Sequence, residues 1–264
     1  MLAIAKELGA MQAEGKLQGN KNIIIAAWSG EELGVLGSTY YVNHVAKTSE
    51  IDAVINLDMV GHLQDKLVLQ GIGSSPDWPK LLQPITQSTS LSFVMQQDPY
   101  LPTDTTPFYL HQIPTINCFS GAQDTYHTPR DTADSLNYQG MQYISSFLLH
   151  LIIALEHHRK LTFHAVAKTH QMHQQAFKVY LGTIPDYASD DIVGVKLSGV
   201  VKGSPAEQAR LGAQDIIIRL NGKPIQNIHD YSKTLYSLHP NDRVTIIALR
   251  KQREKTFNLI ASAR

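Results

Sequence analysis

Asn22-Ile23-Ile24-Ile25-Ala26-Ala27-Trp28-Ser29-Gly30-Glu31-Glu32-Leu33-Gly34 is the stretch on which the fold turns. A Gly19-Asn20 turn signal precedes it, and the apolar, β-branched run predicts a buried strand over Asn22 to Trp28. Two carboxylates, Glu31 and Glu32, then stand side by side. Like charges repel and burial favours the neutral form, so such a pair is costly to bring together at a strand end. A bound cation would relieve the cost and let one carboxylate act as ligand and the other as base. A solvated pair at a helix start, favoured by the helix dipole, is the competing reading.

Working outward, Ala53 to Met59, Leu67 to Gln70, Phe93 to Gln96 and Pro114 to Phe119 read as strands. Asp77 to Ser88, with Pro79 in its first turn, reads as a helix. So does Tyr138 to His158, with an apolar face at Met141, Ile144, Phe147, Leu148, Leu151 and Leu155. Glu31 to Asn43 reads as a loop leading into a helix. Met1 to Leu8 reads as an amphipathic helix already under way, with no capping residue before it, which implies chain upstream. Strands alternating with helices predict a layered α/β domain. Two more strand ends deliver polar groups. Asp58 closes Ala53 to Met59, as a site residue or as a turn cap. His127 and Asp131 follow Pro114 to Phe119, where the imidazole could bind a metal with the carboxylate orienting it, or be structural.

Acidic and basic residues balance at 23 each, so net charge gives no pull toward nucleic acid. No apolar stretch is long enough to span a membrane. Cys118 is the only cysteine, which excludes an internal disulfide and a cysteine-rich metal site. Lys6 and Glu7 sit where an export signal would be apolar. As written the chain is expected in the cytoplasm, and export would need a leader on a longer parent.

The order strand-Glu31-Glu32-Leu33-Gly34 with Gly37-Ser38, then Asn56-Leu57-Asp58-Met59-Val60-Gly61, then Pro102-Thr103-Asp104 to Phe108, then Tyr126-His127-Thr128-Pro129-Arg130-Asp131-Thr132, resembles the M28 family of co-catalytic zinc aminopeptidases. The resemblance covers about residues 1 to 155. It implies a zinc-exopeptidase-like α/β domain, incomplete at its N-terminus, that hydrolyses N-terminal peptide bonds of peptide substrates. It implies two Zn2+ per complete site, Glu31 as general base, Glu32 and His127 on one zinc and Asp58 on the other. Asp131 would orient the His127 imidazole from behind, and Tyr126 would donate to the oxyanion. The family's remaining ligands, a His-x-Asp pair and a later bridging Asp, lie before the Glu-Glu motif. This chain has no His before His44 and no Asp before Asp52. Two donors for one zinc and one for the other fall short of the usual three or four. Weak zinc binding and little peptidase activity are therefore expected of this chain alone.

After about residue 156 the composition changes. Residues 157–177 are polar and rich in His, with His170 and His173 read as solvated, and predict a linking helix between a domain at 1–156 and one at 178–264. In the latter, Ser204-Pro205 reads as an N-cap followed by an N1 proline, Asn221-Gly222 as a tight hairpin turn, and Ile228 to Leu238 as a short amphipathic helix. Tyr180-Leu181-Gly182-Thr183, Val200 to Ala206 and Asp215 to Ile225 resemble a β-rich bacterial PDZ domain. The resemblance implies that a peptide C-terminus is held by the loop Tyr180, Leu181 and Gly182. Arg210 and Gln214 stand where relatives carry glycine, which leaves the geometry of that turn open. A domain that only packs, and a non-catalytic peptide-binding protein acting through it, are the alternatives.

Overall fold

The elements follow in chain order in the computed structural model, which describes residues 1–19, 21–123, 125–126, 128–167, 178–186 and 192–263. Helix α1 (Leu2–Ala13) buries Ile4 and Leu8, one turn apart. A 3-10 turn (Glu31–Leu33) leads to α2 (Leu36–His44). There follow β1 (Val54–Asp58), β2 (Lys66–Gln70), α3 (Trp78–Gln87), β3 (Ser92–Gln96), α4 (Thr106–Leu110), β4 (Thr115–Phe119) and the long α5 (Tyr138–His157). The chain divides into two units, 1–120 with 136–167 and 121–135 with 168–264.

In the first unit the sheet order is β1-β4-β2-β3. β1 runs parallel to β4, β4 antiparallel to β2, and β2 parallel to β3. α5 packs against α1 and α3. Its Ile144, Phe147, Leu148 and Leu151 join Leu67, Leu69, Ile116, Trp78 and Leu82 in one core. Cys118 lies fully buried in β4, and burial pushes its thiol up to about 12.

The strand expected over Asn22 to Trp28 does not form. The segment makes no helix or strand, and Ile23, Ile24 and Ile25 are exposed, Ile24 by 68%. A strand needs a neighbour for its N–H and C=O groups, and among the described residues none lies beside it. Its end is anchored by side chains instead. The Trp28 ring packs 5.1 Å from Tyr41 and 5.7 Å from Phe108. Among the described residues β1 pairs on one side only, and it is half-buried along its length.

The linking helix is also corrected. α5 stops at His157, and residues 158–167 form no helix. They run as a strap bound to the first unit. The Leu161 N–H donates to Asp52 Oδ1 at 2.7 Å, the Thr162 N–H to Asp77 Oδ2 at 2.8 Å, and the His164 N–H to Ser74 O at 2.8 Å. The Thr162 N–H holds the Asp77 carboxyl below its ordinary range. Main-chain N–H groups taken by carboxylates and a carbonyl in this way cannot serve a helix. Residues 168–177, including His170 and His173, lie outside the described residues.

In the second unit, β5 (Val179–Tyr180), β6 (Thr183–Pro185), β7 (Val195–Val200), α6 (Pro205–Gln208), β8 (Ile216–Leu220), β9 (Lys223–Pro224), α7 (Ile228–Tyr236), β10 (Arg243–Arg250), β11 (Arg253–Ile260) and β12 (Ser262–Ala263) follow. The main sheet has the order β11-β10-β8-β7-β6, with β9 beside β8, and β12 pairs with β5. Ser204 Oγ caps α6 through the Glu207 N–H, with Pro205 in the first turn. Asn221 and Gly222 turn the hairpin at φ 47° and 77°. Arg210 and Gln214 take φ 66° and 69°, so the turn keeps a left-handed geometry without glycine. Asp215 holds it. This fully buried carboxylate accepts from the Gly212 N–H at 2.9 Å and from Arg250 Nε and Nη2 at 2.7 and 2.6 Å. Arg250 also donates to Arg210 O at 2.7 Å.

One buried hydroxyl ties three elements of the first unit. Ser74 Oγ donates to Thr115 O at 2.9 Å, and accepts from the Thr115 N–H at 2.9 Å and from Trp78 Nε1 at 3.0 Å. Its donor and both lone pairs are used. Ser74→Ala leaves the indole and the Thr115 groups unpaired. It should lower the unfolding free energy by about 2–4 kcal/mol in urea denaturation, with an unchanged m-value.

Candidate functional site

Glu31 and Glu32 sit on the 3-10 turn between Gly30 (φ 68°) and Gly34 (φ 106°), both in the left-handed region. The Glu31 carbonyl accepts from the Gly34 and Val35 N–H groups at 2.9 and 2.8 Å, which closes the turn before α2 begins. Glu31 is half-buried and Glu32 exposed.

Asp58 is the last residue of β1, directly opposite Phe119, the last of β4. Because these strands run parallel, both chain exits leave from the same edge of the sheet. Met59 follows at φ 50°, and its carbonyl accepts from Ser120 Oγ, which also accepts from the His62 N–H at 3.2 Å. The exit of β1 is thereby tied to the exit of β4, and the latter leads to the loop that carries Tyr126 and Asp131. That loop, 121–135, groups with the second unit. Among its described residues the Tyr126 N–H donates to Gln123 O at 3.0 Å, and the Asp131 N–H to Thr128 O at 3.1 Å. Tyr126 is half-buried and Asp131 exposed. His127 and Asp124 lie outside the described residues.

Asp104 was given no role from the sequence beyond its place in a motif. Its carboxyl is buried and accepts from Ser38 Oγ of α2 at 2.5 Å. Burial pushes it above the ordinary carboxyl range, and the Ser38 hydrogen bond partly offsets that. An Asp set among threonines was the sole signal, and local pattern does not report burial.

In the second unit, β6 is an edge strand, paired with β7 on one side. The loop Tyr180, Leu181 and Gly182 enters it. The Leu181 carbonyl accepts from the Ala206 N–H at 2.9 Å and the Gly182 carbonyl from the Val201 N–H at 2.8 Å. A trans peptide plane points its N–H opposite to its C=O. The N–H groups of Gly182 and Thr183 therefore face away from those partners, as a carboxylate cradle requires, beside an edge that no strand among the described residues covers. Gly182 has φ 79°, and a Cβ there would meet Ser204 Cβ at 2.1 Å.

Residues 1–152 match the family model for peptidase family M28. The chain belongs to peptidase family M28. Its residues 159–260 match a PDZ domain. Among curated proteins, it is 29% identical over 176 residues to a probable glutamate carboxypeptidase of Zea mays, covering 58% of this chain and 23% of that one. It is 41% identical over 66 residues to the serine protease Do-like HtrB of Bacillus subtilis, covering 25% and 14%. The chain thus spans under a quarter of the length of either relative. Among solved structures, a zinc aminopeptidase from Bacillus subtilis matches at 22% identity and a TM-score of 0.44, over 54% of this chain and 38% of that one.

Among the described residues, no three His, Cys, Asp or Glu side chains gather to hold a metal ion. Glu32 and Asp58 are the described donors of the expected set, and these two do not fit a zinc centre by themselves. No helix among the described residues is long and apolar enough to cross a membrane.

Two expectations follow. The raised Asp104 carboxyl means that the native state holds this proton more tightly than the unfolded chain. Its contribution to stability is full below pH 3.8 and is lost as pH rises through the folded value. Asp104→Asn should flatten that slope and melt higher than the parent at pH 7, by calorimetry across pH 3 to 8. Gly182→Ala should lower the thermal midpoint of the second unit by several degrees, through both the clash and the left-handed backbone.

Proposed function

We propose that this chain serves aminopeptidase-type hydrolysis of N-terminal peptide bonds, with Zn2+ as the metal. We further propose that these 264 residues hold that metal weakly on their own. The observation that carries the reading is the β1–β4 register within an M28 domain. It sets Asp58 at the sheet edge from which the chain departs toward Tyr126 and His127. Glu31 is proposed as the general base, Glu32 and His127 as donors to one metal and Asp58 to the other. Asp131 would orient the imidazole, and Tyr126 would donate to the oxyanion. The left-handed Gly30 and Gly34 bound the turn that carries Glu31 and Glu32.

The test begins with zinc titrated into the chelator-treated chain by calorimetry. Weak binding is expected, and tight stoichiometric uptake of two ions would overturn that part. Release of p-nitroaniline from leucine p-nitroanilide in excess zinc should rise above background. It should fall by about 10²-fold in Glu31→Gln, since general bases contribute on that order. The maize relative is named a carboxypeptidase, so release of glutamate from a peptide C-terminus is measured beside it. Glutamate release without anilide hydrolysis would reject the aminopeptidase assignment.

A second reading is favoured by the open edge of β6 and the cradle at Gly182. On it, the chain binds peptide C-termini through its PDZ domain and does no chemistry. Absence of hydrolysis at every zinc concentration, together with carboxylate-dependent peptide binding, would select it.

A further inference from the structure

The edge strand β6 and helix α7 are bridged by one pair of side chains. Thr183 Oγ1, on the first residue of β6, lies 2.6 Å from the Tyr231 phenol oxygen, on the first full turn of α7. Tyr231 is 2% exposed and belongs to the core cluster of this unit, with Leu181, Val195 and Leu238 among its members. Its ring therefore occupies the gap between strand and helix and ends on the strand itself. Burial pushes the phenol up to about 12, so it stays a neutral hydrogen-bonding group at neutral pH.

Side chains alternate along a strand. Thr183 opens β6, and its bond to Tyr231 turns its side chain toward α7, opposite to that of Ile184 beside it. A peptide added beside β6, with its carboxylate at the Gly182 cradle, sends its last side chain toward that same gap. We infer that the Thr183–Tyr231 pair sets the specificity of this site, admitting a small C-terminal side chain such as alanine and rejecting leucine or phenylalanine. The inference rests on the proposal that a peptide C-terminus docks at Tyr180 to Gly182. A large apolar terminus would have to displace the Tyr231 ring from the core or break its bond to Thr183. It would also be set against two hydroxyls whose hydrogen bond it cannot replace. An alanine methyl requires neither.

Fluorescence anisotropy on the full chain tests this, with labelled decapeptides that differ only in ending in Ala, Val, Leu or Phe. The Ala peptide as its C-terminal amide serves as control. The Ala peptide should bind about tenfold or more tighter than the Leu and Phe peptides, a difference well within what one terminal side chain commands. Its amide should not bind. Tyr231→Ala, checked for fold by circular dichroism, should reverse the order toward Leu. The parent series decides the matter even where that variant fails to fold. Free-carboxylate peptides binding tightest when they end in Leu or Phe would overturn the inference and leave the docking proposal standing. No binding by any peptide, or equal binding by the amide, would overturn the docking proposal and the inference with it.

Discussion

The parallel pairing of β1 on β4 is the constraint on which the first unit depends. Among the described residues it is the sole ladder that holds β1, and it brings Asp58 opposite Phe119 at one edge of the sheet. Every other feature of the candidate site is hung from that edge or from the turn that precedes α2. The other side of β1 has no strand beside it among the described residues, and the apolar run at Ile23 to Ile25 is exposed. A β-branched segment bare to water is the kind of surface that pairs with other chains. The cluster of Trp28, Tyr41, Val42 and Phe108 keeps the neighbouring turn in place despite that exposure.

Much of the fold was legible because its elements announce themselves by period. β2, β3, β4, α3 and α5 lie within a residue or two of where apolar patterning sets them. What failed was pairing. Strand propensity belongs to one segment, whereas a strand exists only with a neighbour, and Asn22 to Trp28 carries the first without the second. The strap at 158–167 was illegible for a related reason. Its main chain is held by Asp52 and Asp77, 109 and 85 residues distant in sequence. No local pattern encodes such a partner, and the polar composition that suggested a solvated helix is equally that of a bound extended segment. In the site, the place of Asp58 at the end of β1 was readable from motif order, whereas Glu31 and Glu32, expected after a strand, sit on a 3-10 turn after a segment that forms none. Burial was not readable, and the buried Asp104 carboxyl passed without a role.

The second unit breaks a local rule and compensates for it nearby. Arg210 and Gln214 occupy backbone conformations that favour glycine. The Asp215–Arg250 bridge, with its further bond to the Arg210 carbonyl, closes the same turn from the side-chain end. A side-on carboxylate–guanidinium pair has defined geometry, and its acidic half is fully buried. Sequence comparison with glycine-bearing relatives put the turn in question. The compensating arginine lies 35 residues away from Asp215, on β10.

Cys118 gives the first unit a built-in chemical clock. The thiolate is the nucleophile that attacks a disulfide reagent, and a group buried in β4, with its ionisation pushed up, presents none while the sheet is intact. Labelling must wait for β4 to come away from its flanking strands. In a chain with one sulfhydryl, the rate of colour development with an aromatic disulfide therefore reports the opening of that strand and of nothing else.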